Sequence, residues 1–248
     1  MAASRRYRSG RRRAGPSGLL LGLVFVLAAG FVLSRVFVVK RVAVNGNERV
    51  GDQQIVDLSG VMLGRSIFTV DQDAIARAFE REGGIALTDV EVVWPDTVRL
   101  SVRERTRAAI VNHLGMSIAV DEAGVVIEVL RALPEGALPV VTGISATGYQ
   151  PGQPVRSSVP TQVDAMASVL GAARAQGLTE LISELNVSDL DNLYLMTRAG
   201  MMVKLGDAAD MDAKLIWMQS ALNSLSAEGV TSGTINVASG KDAIYRAP

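Results

Sequence analysis

VEVVWPDTVRLSVRERTRAA, residues 90–109, is the stretch from which the rest of the chain can be read. Val90, Val92 and Trp94 alternate with Asp89, Glu91 and Val93, and Val98, Leu100 and Val102 alternate with Thr97, Arg99, Ser101 and Arg103. Patterning with period two predicts two strands, each with one apolar face. Pro95-Asp96 predicts the tight turn between them. Upstream, Gly83-Gly84 closes a helix expected over about 72–82, with Ile75, Ala78 and Phe79 on its face and Asp71 as its N-cap. A loop over 63–68 precedes it. Before that loop come a short helix over 52–58 with Ile55 and Leu58 on one side, a turn at Asn45-Gly46-Asn47, and a strand over 38–44. The order is β-α-α-β-β, with two helices covering one side of a small sheet. Phe68, Phe79 and Trp94 are expected in its core. Helix capping accounts for Asp71 without a bound cation.

The segment further upstream is of another kind. Residues 18–34 carry no charge, and the span 18–39 would reach roughly 33 Å as a helix at about 1.5 Å per residue, the scale of a bilayer's hydrocarbon core. Arg5, Arg6, Arg8, Arg11, Arg12 and Arg13 precede it, while Arg35, Lys40 and Arg41 sit at its far end. That excess predicts a cytoplasmic tail over 1–17, a transmembrane helix over 18–39, and a body on the other side of the membrane. A cleaved signal peptide would need small residues such as Ala28 and Gly30 before the cut, but Phe31-Val32-Leu33 continue the apolar run past that point. The 25 basic and 25 acidic residues balance over the whole chain, yet residues 40–248 carry a net charge of −7. At 48% hydrophobic residues and 248 in length, the chain is no disordered tail.

Downstream, residues 106–248 predict a second, β-rich module with two main helices. A hairpin turns at Asp121–Gly124, and a proline-rich stretch over 131–160 flanks a short strand at Val140-Val141. Pro160 opens one helix. Strands follow over 182–187, 193–197 and 201–205, then a long helix over about 209–226, a strand over 234–237 and a terminal segment over 243–246. The fold class expected is α+β: an N-terminal membrane helix, a β-α-α-β-β domain over 38–105, and a distal β domain over 106–248.

Chemistry is scarce in this sequence. No cysteine is present and His113 is the single histidine, which excludes disulfides, thiol nucleophiles and multi-histidine metal sites. Gly143-Ile144-Ser145 approaches a nucleophile elbow, but the closing glycine is displaced to 148. Gly240-Lys241 lacks the Ser/Thr and the earlier glycine of a phosphate loop. The expectation is no enzyme, no cofactor, no metal and no nucleic-acid partner.

Three pieces, VAVNGNERV (42–50), GRSIFTVD (64–71) and the 90–109 stretch, carry a resemblance to the polypeptide-transport-associated (POTRA) domain in its FtsQ/DivIB cell-division version. LNVSDLDNLYLMTRAGMMVKLG (185–206) and TINVASGKDAIYRAP (234–248) extend it more loosely. The resemblance implies a divisome scaffold in the plasma membrane at the septum. It would hold small bitopic division proteins of FtsB/DivIC and FtsL type, with other division proteins contacting the POTRA-like domain, and so help regulate septal peptidoglycan synthesis. It points to Ile235, Asn236, Val237 and Ala238 for backbone pairing with a partner strand, and to Tyr245 as an aromatic anchor. POTRA modules also serve envelope protein assembly and secretion, where they bind extended polypeptides. That reading remains the alternative.

Overall fold

The structure is a computed structural model that describes residues 16–131 and 138–248. Most of the basic tail and part of the proline-rich stretch therefore lie outside the described residues. The chain divides into two compact units. Of the described residues, one holds those up to Ala43 with Val61–Val70 and Glu91–Arg99, and the other those of Val44–Gly60, Asp71–Val90 and Leu100–Pro248.

Helix α1 runs Pro16–Val36. The described apolar side chains along it, from Leu20 to Phe31, are exposed. Among the described residues no helix is long and apolar enough to cross a membrane. Arg35 lies over the Phe31 ring at 5.3 Å. The helix ends before residues 37–39; Val38 bridges Ser66 and Val39 is buried.

The β-α-α-β-β order is present as β1 (Arg41–Asn45), α2 (Asp52–Ser59), α3 (Gln72–Phe79), β2 (Ile85–Val93) and β3 (Thr97–Glu104), with a 3-10 turn at Ile67–Thr69. The sheet order is β1-β3-β2, so the last strand is central. Its alternation holds as expected, with Val98, Leu100 and Val102 buried. Asp71 caps α3 by accepting the Ala74 N–H at 2.9 Å. Gly46, at φ +89°, lets the backbone pass Val102, whose carbonyl oxygen would lie 2.1 Å from any Cβ there. The core expectation holds for Phe79 and fails for the other two aromatics: Phe68 is 69% exposed and Trp94 54%. The physical reason is position. Trp94 sits in the turn after β2, where the period-two pattern no longer assigns a face, and Phe68 lies in the short 3-10 turn.

The distal module is one nine-stranded mixed sheet. Its strands are β4 (Ala109–His113), β5 (Met116–Val120), β6 (Val126–Leu130), β7 (Val140–Thr142), β10 (Ile182–Asn186), β11 (Leu193–Thr197), β12 (Met201–Gly206), β13 (Gly233–Asn236) and β14 (Ile244–Arg246), while β8 (Ala146–Gly148) and β9 (Arg156–Ser157) pair separately. Across the sheet the order is β14-β13-β12-β11-β10-β7-β4-β5-β6. Among the described residues three neighbouring pairs are parallel, β4/β7, β7/β10 and β12/β13, and the last two are joined by crossovers through α4 (Pro160–Ala175) and α5 (Met211–Ala227). A parallel pair requires such a crossover. The helices contact each other, and both contribute to one hydrophobic core with the strands: Met166, Leu170, Leu215 and Met218 join Val111, Leu185, Leu195, Val203 and Ile235. The opposite residues of β11 and β12 remain partly exposed, as the alternating burial of these strands records.

Candidate functional site

The two outer strands of the nine-stranded sheet are finished differently. Beyond β6, the segment 152–155 covers the first residues. Val126 donates to Gln153 O and Gly152 donates to Val126 O, both at 2.9 Å, and Val125 bridges Pro154. Gly83 lies against Ile127, where a Cβ would come within 1.8 Å of the carbonyl oxygen. At the other end β14 has β13 on one side and, among the described residues, no strand on the other.

The direction of the backbone groups follows from one bond. Val237 donates to Lys204 O at 3.0 Å, which aims the odd residues of β13 at β12. Successive residues of a strand point their N–H and C=O groups in opposite directions. Thr234 and Asn236 therefore face β14, where their register partners are Arg246 and Ile244. Tyr245, opposite Ile235, is left with its N–H and C=O directed away from the sheet.

The Tyr245 side chain is secured from the other side. Its hydroxyl donates to Ser232 O at 2.9 Å, and its ring lies over Gly233, whose φ is +130°. Any Cβ at Gly233 would come within 2.5 Å of that ring. A tight connection doubles the chain back. Gly240 donates to Val237 O, Ala238 to the Asn236 side chain, Lys241 to Ser239 Oγ, and Ser239 Oγ bonds Asp242.

The residues singled out in the sequence therefore have unequal positions. Ile235 and Tyr245 are cross-strand partners, and Asn236 sits opposite Ile244. Ile235 and Val237 are fully buried, with Ile235 flanked on both sides and the Val237 N–H taken by Lys204. Ala238 begins the connecting turn. Sequence reading missed Ile244, which is 51% exposed on the outer strand, and the exposed pair Ile216 and Trp217 on α5. The apolar pair Ile244-Tyr245 behind a Ser-Gly-Lys-Asp turn was the available signal.

A second polar arrangement belongs to the β-α-α-β-β region. Glu104, at the end of β3, accepts the N–H groups of Glu48, Arg49 and Val50 at 2.7–2.8 Å and pairs with the Arg49 guanidinium at 3.0 Å. These donors, Val50 foremost, hold its carboxyl down from 4.5 to about 2, against the opposing pull of desolvation. Arg105 Nη1 donates to Glu82, Gly83 and Ile85 carbonyls, and its Nε lies 3.2 Å from Asp121. Asp121 is 1% exposed and also accepts from Ala123 and Val125.

Among the described residues the candidate nucleophile Ser145 and His113 are not brought together. Ser145 follows β7 and leads into β8, whereas an elbow needs a strand followed by a helix. Its N–H donates to the Gln162 side chain, and His113 instead meets the Tyr149 ring edge-on at 6.3 Å. Among the described residues no group of three acidic or histidine side chains is placed to hold a metal.

A profile of the FtsQ-type POTRA domain matches residues 37–105, and one of the C-terminal region of cell division protein FtsQ/DivIB matches residues 108–237. The second match ends before the closing turn and β14. Proteins named cell division protein FtsQ are similar over much of the chain. The Anaeromyxobacter sp. (strain K) protein is 32% identical over 195 residues, 77% of this chain and 64% of that one. The Syntrophotalea carbinolica protein is 29% identical over 186 residues, 73% of this chain and 64% of that one. The chain thus spans less than two thirds of these relatives' own length. The extracytoplasmic domain of DivIB from Geobacillus stearothermophilus aligns over 50% of this chain and 96% of its own, at 19% identity and a TM-score of 0.32.

Proposed function

The chain belongs to the FtsQ/DivIB family of cell-division proteins, and from that premise we propose that it is a non-enzymatic divisome scaffold. It takes a strand of a small bitopic division protein, of FtsB/DivIC type, onto the outer flank of β14. An FtsL-type protein is held alongside. Their retention supports the assembly and regulation of septal peptidoglycan synthesis. The observation that carries this reading is the outward N–H and C=O of Tyr245. An unpaired strand edge is a template for another chain. Ile244, exposed beside it, supplies apolar contact.

The same reading takes α1, which covers residues 18–36 of the span expected over 18–39, across the plasma membrane, with the arginine-rich tail cytoplasmic and the body, from residue 37 on, extracytoplasmic at the septum. Support comes from the 17 uncharged residues over 18–34, from the six preceding arginines, and from the exposure of the described apolar side chains of α1.

The test is capture of small bitopic membrane proteins from cell membranes by the tagged full chain and two variants. Tyr245→Ala removes the ring and keeps the N–H. Tyr245→Pro removes both, and an edge strand tolerates proline where the N–H faces outward. Tyr245→Pro is expected to retain about tenfold less partner than Tyr245→Ala, the scale of one lost hydrogen bond in an interface. Equal capture by the two would reject strand addition at this residue.

A further inference from the structure

We propose that Phe37, Phe68 and Trp94, with Met62 and Leu63, form a seat on the lipid bilayer interface. The three rings pack on one another: Phe37–Phe68 at 5.5 Å, Phe37–Trp94 at 5.9 Å and Phe68–Trp94 at 5.0 Å between centroids. Phe37 is half-buried, while the other two rings are turned outward. Phe68 and Trp94 are mostly exposed, as are Met62 and Leu63. Clustered exposed aromatic surface, with exposed apolar residues on the neighbouring loop, marks an interaction site.

The occupant follows from where the patch is tied. Ile67 donates to Phe37 O at 3.0 Å, Val39 to Arg65 O at 2.8 Å and Gly64 to Val39 O at 2.8 Å. Lys40 donates to Asp96 O at 2.8 Å, which ties down the turn that carries Trp94. Both loops are thus strapped to the segment 37–41, which starts one residue after the last residue of α1. Phe37 directly follows α1, with its Cα about 3.8 Å from that of Val36, and the other two rings lie within 6 Å of its ring, so the cluster sits beside that helix end. The inference rests on the proposed reading of α1 as a membrane span: where α1 leaves the bilayer, this patch stands at the headgroups.

Charge fits the same occupant. Residues 35–43, 61–70 and 91–99 hold Arg35, Lys40, Arg41, Arg65 and Arg99 against Glu91 and Asp96, a local excess of cations on a body whose net charge is −7. Cations at the headgroup level favour anionic lipid, and long basic stems accommodate an apolar surface beside them. Tryptophan is enriched at that depth, where one part of the ring system is dry and its N–H is wet.

The experiment uses the full chain carrying Trp217→Phe, so that Trp94 is the sole tryptophan. It is reconstituted in vesicles of phosphatidylcholine with about 30% phosphatidylglycerol, an anionic surface of ordinary strength. Emission is compared with and without bromine on the upper acyl chain of the lipid. Trp94 emission is expected to fall at least about twofold, as for a ring at the membrane interface. Unchanged emission overturns the seat, and is the result if the patch is kept for a protein partner. Phe25→Trp in a Trp94→Phe, Trp217→Phe background, with the bromine moved to the lower acyl chain because Phe25 of a spanning α1 lies near the midplane, reports α1 separately. Quenching of that residue without quenching of Trp94 leaves the membrane span standing and removes the seat. If neither is quenched, both fall. Quenching of Trp94 alone would leave the seat standing without the span.

Discussion

One sheet has two outer strands, and they are treated in opposite ways. The start of the β6 flank, at Val125–Ile127, is covered by residues 152–155, among them a proline that has no N–H to offer, and by the close approach of Gly83. The β14 flank turns the backbone of Tyr245 outward while its side chain is secured inward on Gly233 and Ser232. A bare edge invites pairing, so the proposed strand addition draws on the contrast between β6, covered at its start, and β14, bare at the opposite end of the same sheet. Buried groups that serve the covered side should therefore matter for stability, and groups on the open side for capture.

The largest effect is expected at Gly83→Ala. Its Cβ would lie 1.8 Å from Ile127 O, a backbone atom that a rotamer change cannot move aside. A loss of about 3 kcal/mol or more, read as a lower urea midpoint, is the scale of such strain. Asp121→Ala comes next. It leaves Arg105, whose side chain is only 12% exposed, without its carboxylate, and it unties the β5–β6 turn. Breaking a buried ion pair costs about 3 kcal/mol, again in the urea midpoint. If either variant unfolded like the parent chain, the covered edge would not be part of the stable core.

Smaller effects sharpen the contrast. Glu104→Gln should remove a pH dependence. The Glu104 carboxyl titrates at about 2 in the folded chain against 4.5 ordinarily, so its stabilisation is complete above pH 4.5 and is lost as pH falls toward 2. Melting temperatures of the parent should drop through that window more steeply than those of the variant. Parallel curves would mean that the clamp contributes nothing. Tyr245→Phe, which gives up only the bond to Ser232, should cost about 1 kcal/mol or less and leave partner capture near that of the parent.

Local chemistry made much of the fold legible. Asp71 caps a helix, Pro160 starts one, and the Val98-Leu100-Val102 alternation buries one face. Pairing order was not legible. TINV at 234–237 reads as a closing strand, and only the return of the chain through Ser239–Asp242 shows that β13 is interior and that the free flank belongs to β14. The family resemblance points to Ile235 and Val237, but their burial serves the core. The exposed backbone lies on a three-residue strand with too little pattern to assign. Phe68 and Trp94 are a similar case, since aromatic residues suggest a core until loop geometry turns them outward.

The most direct test of the central claim is site-resolved amide exchange on the full chain. Tyr245 is expected to exchange at least about 100-fold faster than Val126 and Val237, whose N–H groups are bonded, and to slow when a small bitopic division protein is bound. A Tyr245 amide as protected as Val126 in the free chain, or one whose exchange is unmoved by the partner, would contradict the account.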